Sequence, residues 1–313
     1  MNSPLTPHAV GSTVLDDGRE LGWASFGDPG GDTVFWFHGT PGGRSQLPHD
    51  IDELARAARL RIVGVERPGT GHSTPYRYRQ VIEFVDDLRQ VADDLGAERF
   101  ACVGLSGGGP FVLAVAHELP DRMVCGEVLG GVGPTRGTDA ILSHTLLLVP
   151  LTGTLERIAE PAGQLMTSLI RRVAPYADTA IDVFFQLQPG DRHAMNERTL
   201  DKRQMTADLV DAAHRSGLQA PFEDLILFGK HWGFELGDIT VPITFHAGNS
   251  DIIVPYVHAE RQAKRVPGAR LRTHHKRGHF AAYTNPHEII DDIRLHWPLT
   301  PAPKKRRAPS SAP

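Results

Sequence analysis

Residues 104–108 read Gly-Leu-Ser-Gly-Gly, directly after the apolar run Phe100-Ala101-Cys102-Val103 and directly before Pro110-Phe111-Val112-Leu113-Ala114-Val115. A β-prone stretch, a glycine-crowded turn with one serine at its apex, and a helix-forming stretch with proline in its first turn make a strand-turn-helix unit. Such a turn strains the serine backbone, and only the flanking glycines leave room for the chain to double back. The hydroxyl is thereby lifted clear of the sheet, while the following helix aims its free N–H groups and positive end at the same point. A Gly-x-Ser-x-Gly string alone is weak in a chain with 32 glycines. Its setting between strand and helix makes Ser106 a candidate nucleophile.

A serine hydroxyl needs a base to take its proton and a carboxylate to orient that base. Both follow in the order serine, acid, histidine. Asp251 ends the stretch Gly248-Asn249-Ser250-Asp251, just past the apolar run Val241–Phe245, and His279 lies in Gly278-His279-Phe280, past the strand-like Ala269–Thr273. Each falls at the carboxyl-end rim of a parallel sheet, where open α/β sheets gather their functional groups. The competitors among the 16 histidines are worse placed: His246 lies within a strand, and His274 and His275 lie within or at the end of the last one. Alternation there buries one of that pair and solvates the other. Asp238 precedes a strand and so stands at the opposite edge. The turn Gly130-Gly131-Val132-Gly133-Pro134, where some enzymes of this type carry the acid, holds no carboxylate.

A tetrahedral intermediate also needs donors for its oxyanion. The N–H of Gly107 is one candidate. The N–H of Thr40 is the second, in the turn His38-Gly39-Thr40-Pro41-Gly42-Gly43 that follows the apolar Val34–Phe37, with His38 and Gly39 shaping the pocket beside it. Four landmarks now stand in one order: His38-Gly39-Thr40-Pro41-Gly42, Glu66-Arg67-Pro68-Gly69-Thr70-Gly71-His72-Ser73, the elbow at Ser106, and the late Asp251 and His279. In these the chain resembles the α/β-hydrolase fold family, over roughly residues 34 to 281. One departure is that the family's second landmark usually begins with Asp, where this chain has Glu66. Members with an Asp nucleophile are set aside because the elbow holds Ser106.

The elements that must position these residues alternate. Strands are expected at Leu21–Phe26, Thr33–Phe37, Arg61–Val65, Phe100–Leu105, Met123–Leu129, Val241–His246 and Ala269–Thr273. Between them, Gln80–Leu95 is the clearest helix: Val81, Phe84, Val85, Leu88, Val91, Ala92 and Leu95 recur at helical spacing, and Asp86, Asp87, Arg89, Asp93 and Asp94 fill the other face. Gly96 ends it. The pattern predicts an α/β fold, a mostly parallel central sheet with helices on both faces. The alternation stops at residues 134–238, which enter and leave on the side of the candidate site and read as an inserted helical cap. Residues 1–133 and 239–300 then form the core, and 301–313, rich in Pro and carrying Lys304-Lys305-Arg306-Arg307, form a disordered basic tail. Of the cap's Phe184, Phe185, Met195, Met205, Phe228, Trp232 and Phe234, most are expected to pack and a minority to line the pocket.

At 313 residues, 40% hydrophobic and with net charge −4, the chain can bury a large core and shows no electrostatic footprint for nucleic acid. Cys102 and Cys125, its two cysteines, lie inside apolar strands and read as buried thiols, consistent with a reducing compartment. The first ten residues lack a signal-peptide pattern, and the longest apolar stretch, Thr145–Leu151, is too short to span a bilayer, so a cytoplasmic location is expected. No feature sets an oligomeric state. The resemblance implies acyl transfer to Ser106, with a small or medium, mostly apolar carboxylic ester as the small-molecule substrate and no metal or organic cofactor. Besides peroxide-dependent oxidation through a peracid at the same serine, it leaves three alternatives with the same triad. One is an aminopeptidase releasing amino-terminal proline, whose cap carboxylate would be sought among Glu156, Glu160, Asp178 and Asp182; such enzymes typically carry His-Gly-Gly-Pro-Gly and a Trp in the elbow, where this chain has Thr40 and Gly107. The others are a carbon–carbon bond hydrolase and a non-catalytic ligand-binding protein.

Overall fold

Successive residues of the central strands turn to opposite faces, and both faces are apolar, so the sheet must be covered twice. A computed structural model of the chain describes residues 5–141, 143, 148–214 and 220–297. The strands are β1 (Ala9–Val14), β2 (Glu20–Gly27), β3 (Asp32–Phe37), β4 (Leu60–Val65), β5 (Phe100–Leu105), β6 (Met123–Leu129), β7 (Ile243–Gly248) and β8 (Arg270–His274). They form one sheet in the order β1-β2-β4-β3-β5-β6-β7-β8. Pairing is antiparallel from β1 through β2 to β4 and parallel from β4 to β8.

Helices α1 (Ile51–Ala57), α2 (Phe84–Asp94) and α3 (Gly109–Glu118) alternate with the strands up to β6. Five more follow β6: α4 (Leu148–Val173), α5 (Ala177–Gln186), α6 (Arg192–Glu197), α7 (Thr199–His214) and α8 (Ala220–Phe228). Helix α9 (Val257–Arg265) then joins β7 to β8, and α10 (Pro286–His296) follows β8. The period-two pattern divides the core in two. Phe35, Phe37, Val63, Val65, Phe100 and Cys102 pack with Phe84, Leu88 and Phe111 of α2 and α3 on one face. Val34, Trp36, Ile62, Ala101 and Val103 pack with Ile51, Ala55, Ile289 and Ile293 of α1 and α10 on the other. No described helix is long and apolar enough to cross a membrane.

Four local differences from the sequence reading have physical causes. Strand β1 was not expected, because Val10 and Val14 face solvent at this sheet edge and no apolar periodicity marks it; backbone pairing with β2 makes the strand. Strands β7 and β8 begin one or two residues later than the apolar runs that announced them. The helix expected over Gln80–Leu95 opens as a 3₁₀ turn, Val81–Glu83, before α2, and Gly96 leaves it at φ +66°. Asp87 does not lie on a solvated face. It is buried, accepting two N–H groups of Arg19 at 2.7 and 2.8 Å and the Tyr78 hydroxyl. Cys102 and Cys125 are free and buried, and burial pushes both thiols up. The expected tail, 301–313, lies outside the described residues.

Phe84 meets the rings of Phe37 and Phe111 edge-on, with centroids 5.3 and 4.9 Å away, and is fully buried. Phe84→Ala should lower the stability of the fold by about 3–5 kcal/mol, read from a shift in the denaturant midpoint at unchanged slope.

Candidate active site

Ser106 sits at the tip of β5 with φ +52°, in the left-handed region that a side chain rarely adopts. The bend is held by close backbone approach: a Cβ at Gly104 would lie 2.5 Å from the Gly108 carbonyl oxygen, and one at Gly107 would lie 2.3 Å from Thr40 Oγ1. A short 3₁₀ turn, Ser106–Gly108, leads into α3, whose positive end therefore stands beneath the serine.

The loops after β7 and β8 bring Asp251 and His279 together. Asp251 Oδ2 accepts the His279 Nδ1–H at 2.7 Å, and its Oδ1 accepts the N–H groups of Ile253 and Val254 at 2.8 and 2.9 Å. Both side chains are nearly inaccessible, at 1% and 3% exposure, so the pair works in a low dielectric. With Nδ1 committed to the acid, Nε2 is the free nitrogen, and His279 shares one cavity with Ser106. The Ser106 side chain makes no hydrogen bond to another described residue.

The loop after β3 forms the facing wall, with Gly39, Thr40 and Pro41 on the cavity. His38 stands behind it. Its Nδ1–H donates to Gly39 O at 2.8 Å and its Nε2 accepts the Arg67 N–H at 3.2 Å, and burial, helped by the Arg67 charge, holds the ring neutral well below the usual imidazole range. Gln46 completes the loop, accepting the Gly39 N–H at 2.6 Å and donating to Pro41 O at 3.0 Å. Arg67 threads the loop from below, giving hydrogen bonds to His38 O, Gly39 O and Thr40 Oγ1 and an ion pair of 2.7 Å to Asp224. Glu66, the departure noted in the second landmark, is buried and accepts the His72 N–H at 2.7 Å, away from the cavity.

Asp224 belongs to α8 and also accepts the Thr40 hydroxyl at 2.7 Å. It is one of four buried carboxylates of the inserted helical segment that reach the loops of the sheet edge, another being Asp201 of α7, which accepts the His49 N–H at 2.7 Å. Asp208 of α7 accepts the N–H groups of Gly43 and Ser45, each at 2.7 Å, and Asp191, just before α6, accepts those of His279 and Phe280 at 2.8 and 2.9 Å. The sequence reading missed all four, together with Gln46, and quoted Arg67 only as part of the second landmark, with no role given to it.

Between the sheet edge and α4, α5 and α7 lies a cavity of about 500 Å³. Ile170, Ala177, Ala180, Ile181, Leu209, Val210 and Ile253 line it beside Phe184, Phe185, Met205 and Phe280. Of the aromatic and sulphur-bearing side chains singled out in the sequence, Met195, Phe228, Trp232 and Phe234 are buried elsewhere as packing. Among the described residues, no Asp, Glu, Lys or Arg lines the cavity. Glu156 pairs with Lys230, Asp182 pairs with Lys202, Glu160 accepts from Gln164, and Asp178 is exposed.

Among the described residues two groups have the donor types to hold a metal ion, Glu127/His246/Asp292 and His246/His274/Glu288, and neither lines the cavity. In the first, His246 Nε2 lies 2.8 Å from a Glu127 carboxyl oxygen and Arg272 holds Asp292 through two N–H groups. Burial pushes Glu127 well above the carboxylate range and His246 down to about 4.

Comparison with known proteins follows this geometry. The family model described as "alpha/beta hydrolase fold" matches residues 32–286. The chain is 32% identical over 120 residues to a proline iminopeptidase of Xanthomonas citri, which covers 36% of this chain and 37% of that protein. It thus aligns with well under half the length of that relative. A 2-hydroxy-6-oxononadienedioate/2-hydroxy-6-oxononatrienedioate hydrolase of Cupriavidus pinatubonensis is 26% identical over 268 residues, covering 81% of this chain and 82% of that one. Among solved structures, an esterase from Exiguobacterium antarcticum superposes with a TM-score of 0.66 at 16% identity, covering 91% of this chain and 98% of its own. At that identity the likeness speaks for the fold alone.

Burial pushes the Asp208 carboxyl up to about 7, against the pull of the Ser45 and Gly43 amides. The folded protein therefore keeps this proton to higher pH than the unfolded chain, whose aspartates titrate near 3.8. Stability contributed by this group falls as pH rises from about 4 to about 7 and is level above that. Asp208→Asn should flatten that part of the profile relative to the native protein, as measured by denaturant midpoints across this range; parallel profiles would contradict it.

Proposed function

From the premise that this chain belongs to the α/β-hydrolase fold family and is a hydrolase, we propose that it cleaves a small or medium, mostly apolar carboxylic ester through an acyl-enzyme on Ser106. The observation that carries this reading is the cavity itself: Ser106 and His279 open into an apolar chamber of about 500 Å³ whose lining, among the described residues, bears no Asp, Glu, Lys or Arg. An apolar acyl or alcohol group gains by leaving water there, whereas a charged group would lose its hydration without an opposite charge to meet it.

His279 Nε2 acts as general base towards the Ser106 hydroxyl and then as general acid towards the leaving alcohol. Asp251 fixes the tautomer through Nδ1 and stabilises the imidazolium as it forms. The N–H groups of Gly107 and Thr40, on adjoining residues, receive the oxyanion, and water delivered by the same base releases the acid. The inserted helices act as the cap, excluding water and setting which acyl groups fit.

The same lining weighs against the alternatives. A substrate amine of the kind a proline-releasing aminopeptidase holds would need a carboxylate in the cavity, and Glu156, Glu160, Asp178 and Asp182 all lie off it. A dioate, as named for the relative from Cupriavidus pinatubonensis, would need a cation there.

A fluorophosphonate probe should label Ser106, located by mass mapping of the modified peptide, and the protein should turn over a short-chain nitrophenyl ester in preference to a prolyl anilide or a β-diketone. Ser106→Ala should abolish both labelling and turnover with the fold intact. Turnover surviving in that variant would rule the mechanism out, and labelling with no turnover of any substrate would favour a ligand-binding role.

A further inference from the structure

Asp191 occupies the N-cap position of α6, where an aspartate ordinarily accepts an N–H of its own helix. It makes no such bond. Its carboxylate turns instead to the loop after β8, with Oδ2 on the His279 N–H at 2.8 Å and Oδ1 on the Phe280 N–H at 2.9 Å. One oxygen is thus spent on the backbone of the residue whose ring meets Asp251 and the other on the residue after it, and Asp191 is itself 3% exposed and off the cavity. The approach depends on two glycines. A Cβ at Gly278 would lie 2.4 Å from Asp191 Oδ2, and one at Gly190 would lie 2.6 Å from the Gly278 nitrogen.

Resting on the role of His279 given above, we propose that Asp191 is a positioning residue for the base: it holds the His279 backbone where Nδ1 reaches Asp251, and places a negative charge behind the ring that becomes positive in turnover. The link crosses from the inserted helices to the sheet, so the segment that encloses the substrate also holds the base in place. A loop bond alone needs no charge, since a serine hydroxyl or a carbonyl would accept an amide as well. A buried carboxylate costs more to desolvate, and here its charge also acts on the ring where positive charge develops in turnover. Burial raises the Asp191 carboxyl above its ordinary range, and the titratable groups acting on it are His279, which lowers it, and Asp251, which raises it.

The test is the kinetics of Asp191→Ala and Asp191→Asn on the ester, across pH, with the folded fraction counted by fluorophosphonate labelling. Loss of positioning should lower kcat per labelled site by about tenfold to a hundredfold in Asp191→Ala. KM should stay within about twofold, because Asp191 does not touch the cavity. Asp191→Asn, which retains one acceptor, should keep more of kcat. In both variants the acid limb of kcat/KM should move to lower pH, because the charge that favours the imidazolium is gone. Native kcat and an unmoved acid limb would overturn the proposal. So would a loss of activity that merely follows the count of labelled sites with the acid limb unmoved, since Asp191 would then be structural only. Where Asp191→Ala does not fold, Asp191→Asn carries the same readings. Ser106→Ala assayed alongside separates the two ideas: activity surviving there overturns the reaction, whereas an inactive Ser106→Ala beside an unaffected Asp191→Asn overturns only the positioning role.

Discussion

Amide N–H groups buried in irregular loops have neither a helix nor a ladder to receive them, and at the carboxyl edge of this sheet side-chain oxygens take that place. Asp251 receives Ile253 and Val254, Asp191 receives His279 and Phe280, Asp208 receives Gly43 and Ser45, and Asp201 receives His49. Gln46 does the same for Gly39. Leaving one such donor unmet costs about 1–3 kcal/mol, so the loops have little freedom to settle elsewhere while these acceptors stand. The arrangement of Ser106, Asp251, His279, Thr40 and Gly107 depends on that accounting more than on any contact between those five.

A second consequence is a separation of charge from cavity. The carboxylates and Arg67 that organise the edge lie behind its walls, while the wall facing inward is built from aliphatic and aromatic side chains with Ser106, His279, Thr40, Thr206 and Gln46 among them. A wall of this kind brings few counter-charges to the cavity, so fixed dipoles act there with little screening. The Arg67–Asp224 pair shows the cost being met: both side chains are almost wholly buried, and Arg67 spends its remaining N–H groups on the carbonyls of His38 and Gly39. Charge that would be expensive alone becomes the means of shaping the loop after β3.

Much of this was legible from local pattern. Seven of the eight strands were marked in the sequence, the central ones by apolar runs, because a strand buried on both faces must be apolar at nearly every position. The one missed, β1, turns its valines outward at an edge. The elbow at Ser106 was legible because close backbone approach demands glycine at fixed offsets, and the acid and histidine because each follows a strand. Asp87 misled because helical periodicity shows which face is polar but not whether an Arg19 and a Tyr78 from other segments will cover it.

Chain order and spacing alone therefore determined the α/β alternation, the insertion after β6, and the serine, aspartate and histidine brought to one rim, since each follows from the steric and hydrophobic demands of a few neighbouring residues. Tertiary structure alone decided what those residues rest on. The partner of the His279 amide lies 88 residues earlier, that of the Gly43 amide 165 residues later, and that of the Thr40 hydroxyl 184 residues later. An aspartate bound to such a donor looks, in its own stretch of sequence, like any solvated aspartate of a polar helix. Only packing of the inserted helices against the sheet brings acceptor to donor, because hydrogen bonds depend on distance in space and carry no trace of it along the chain.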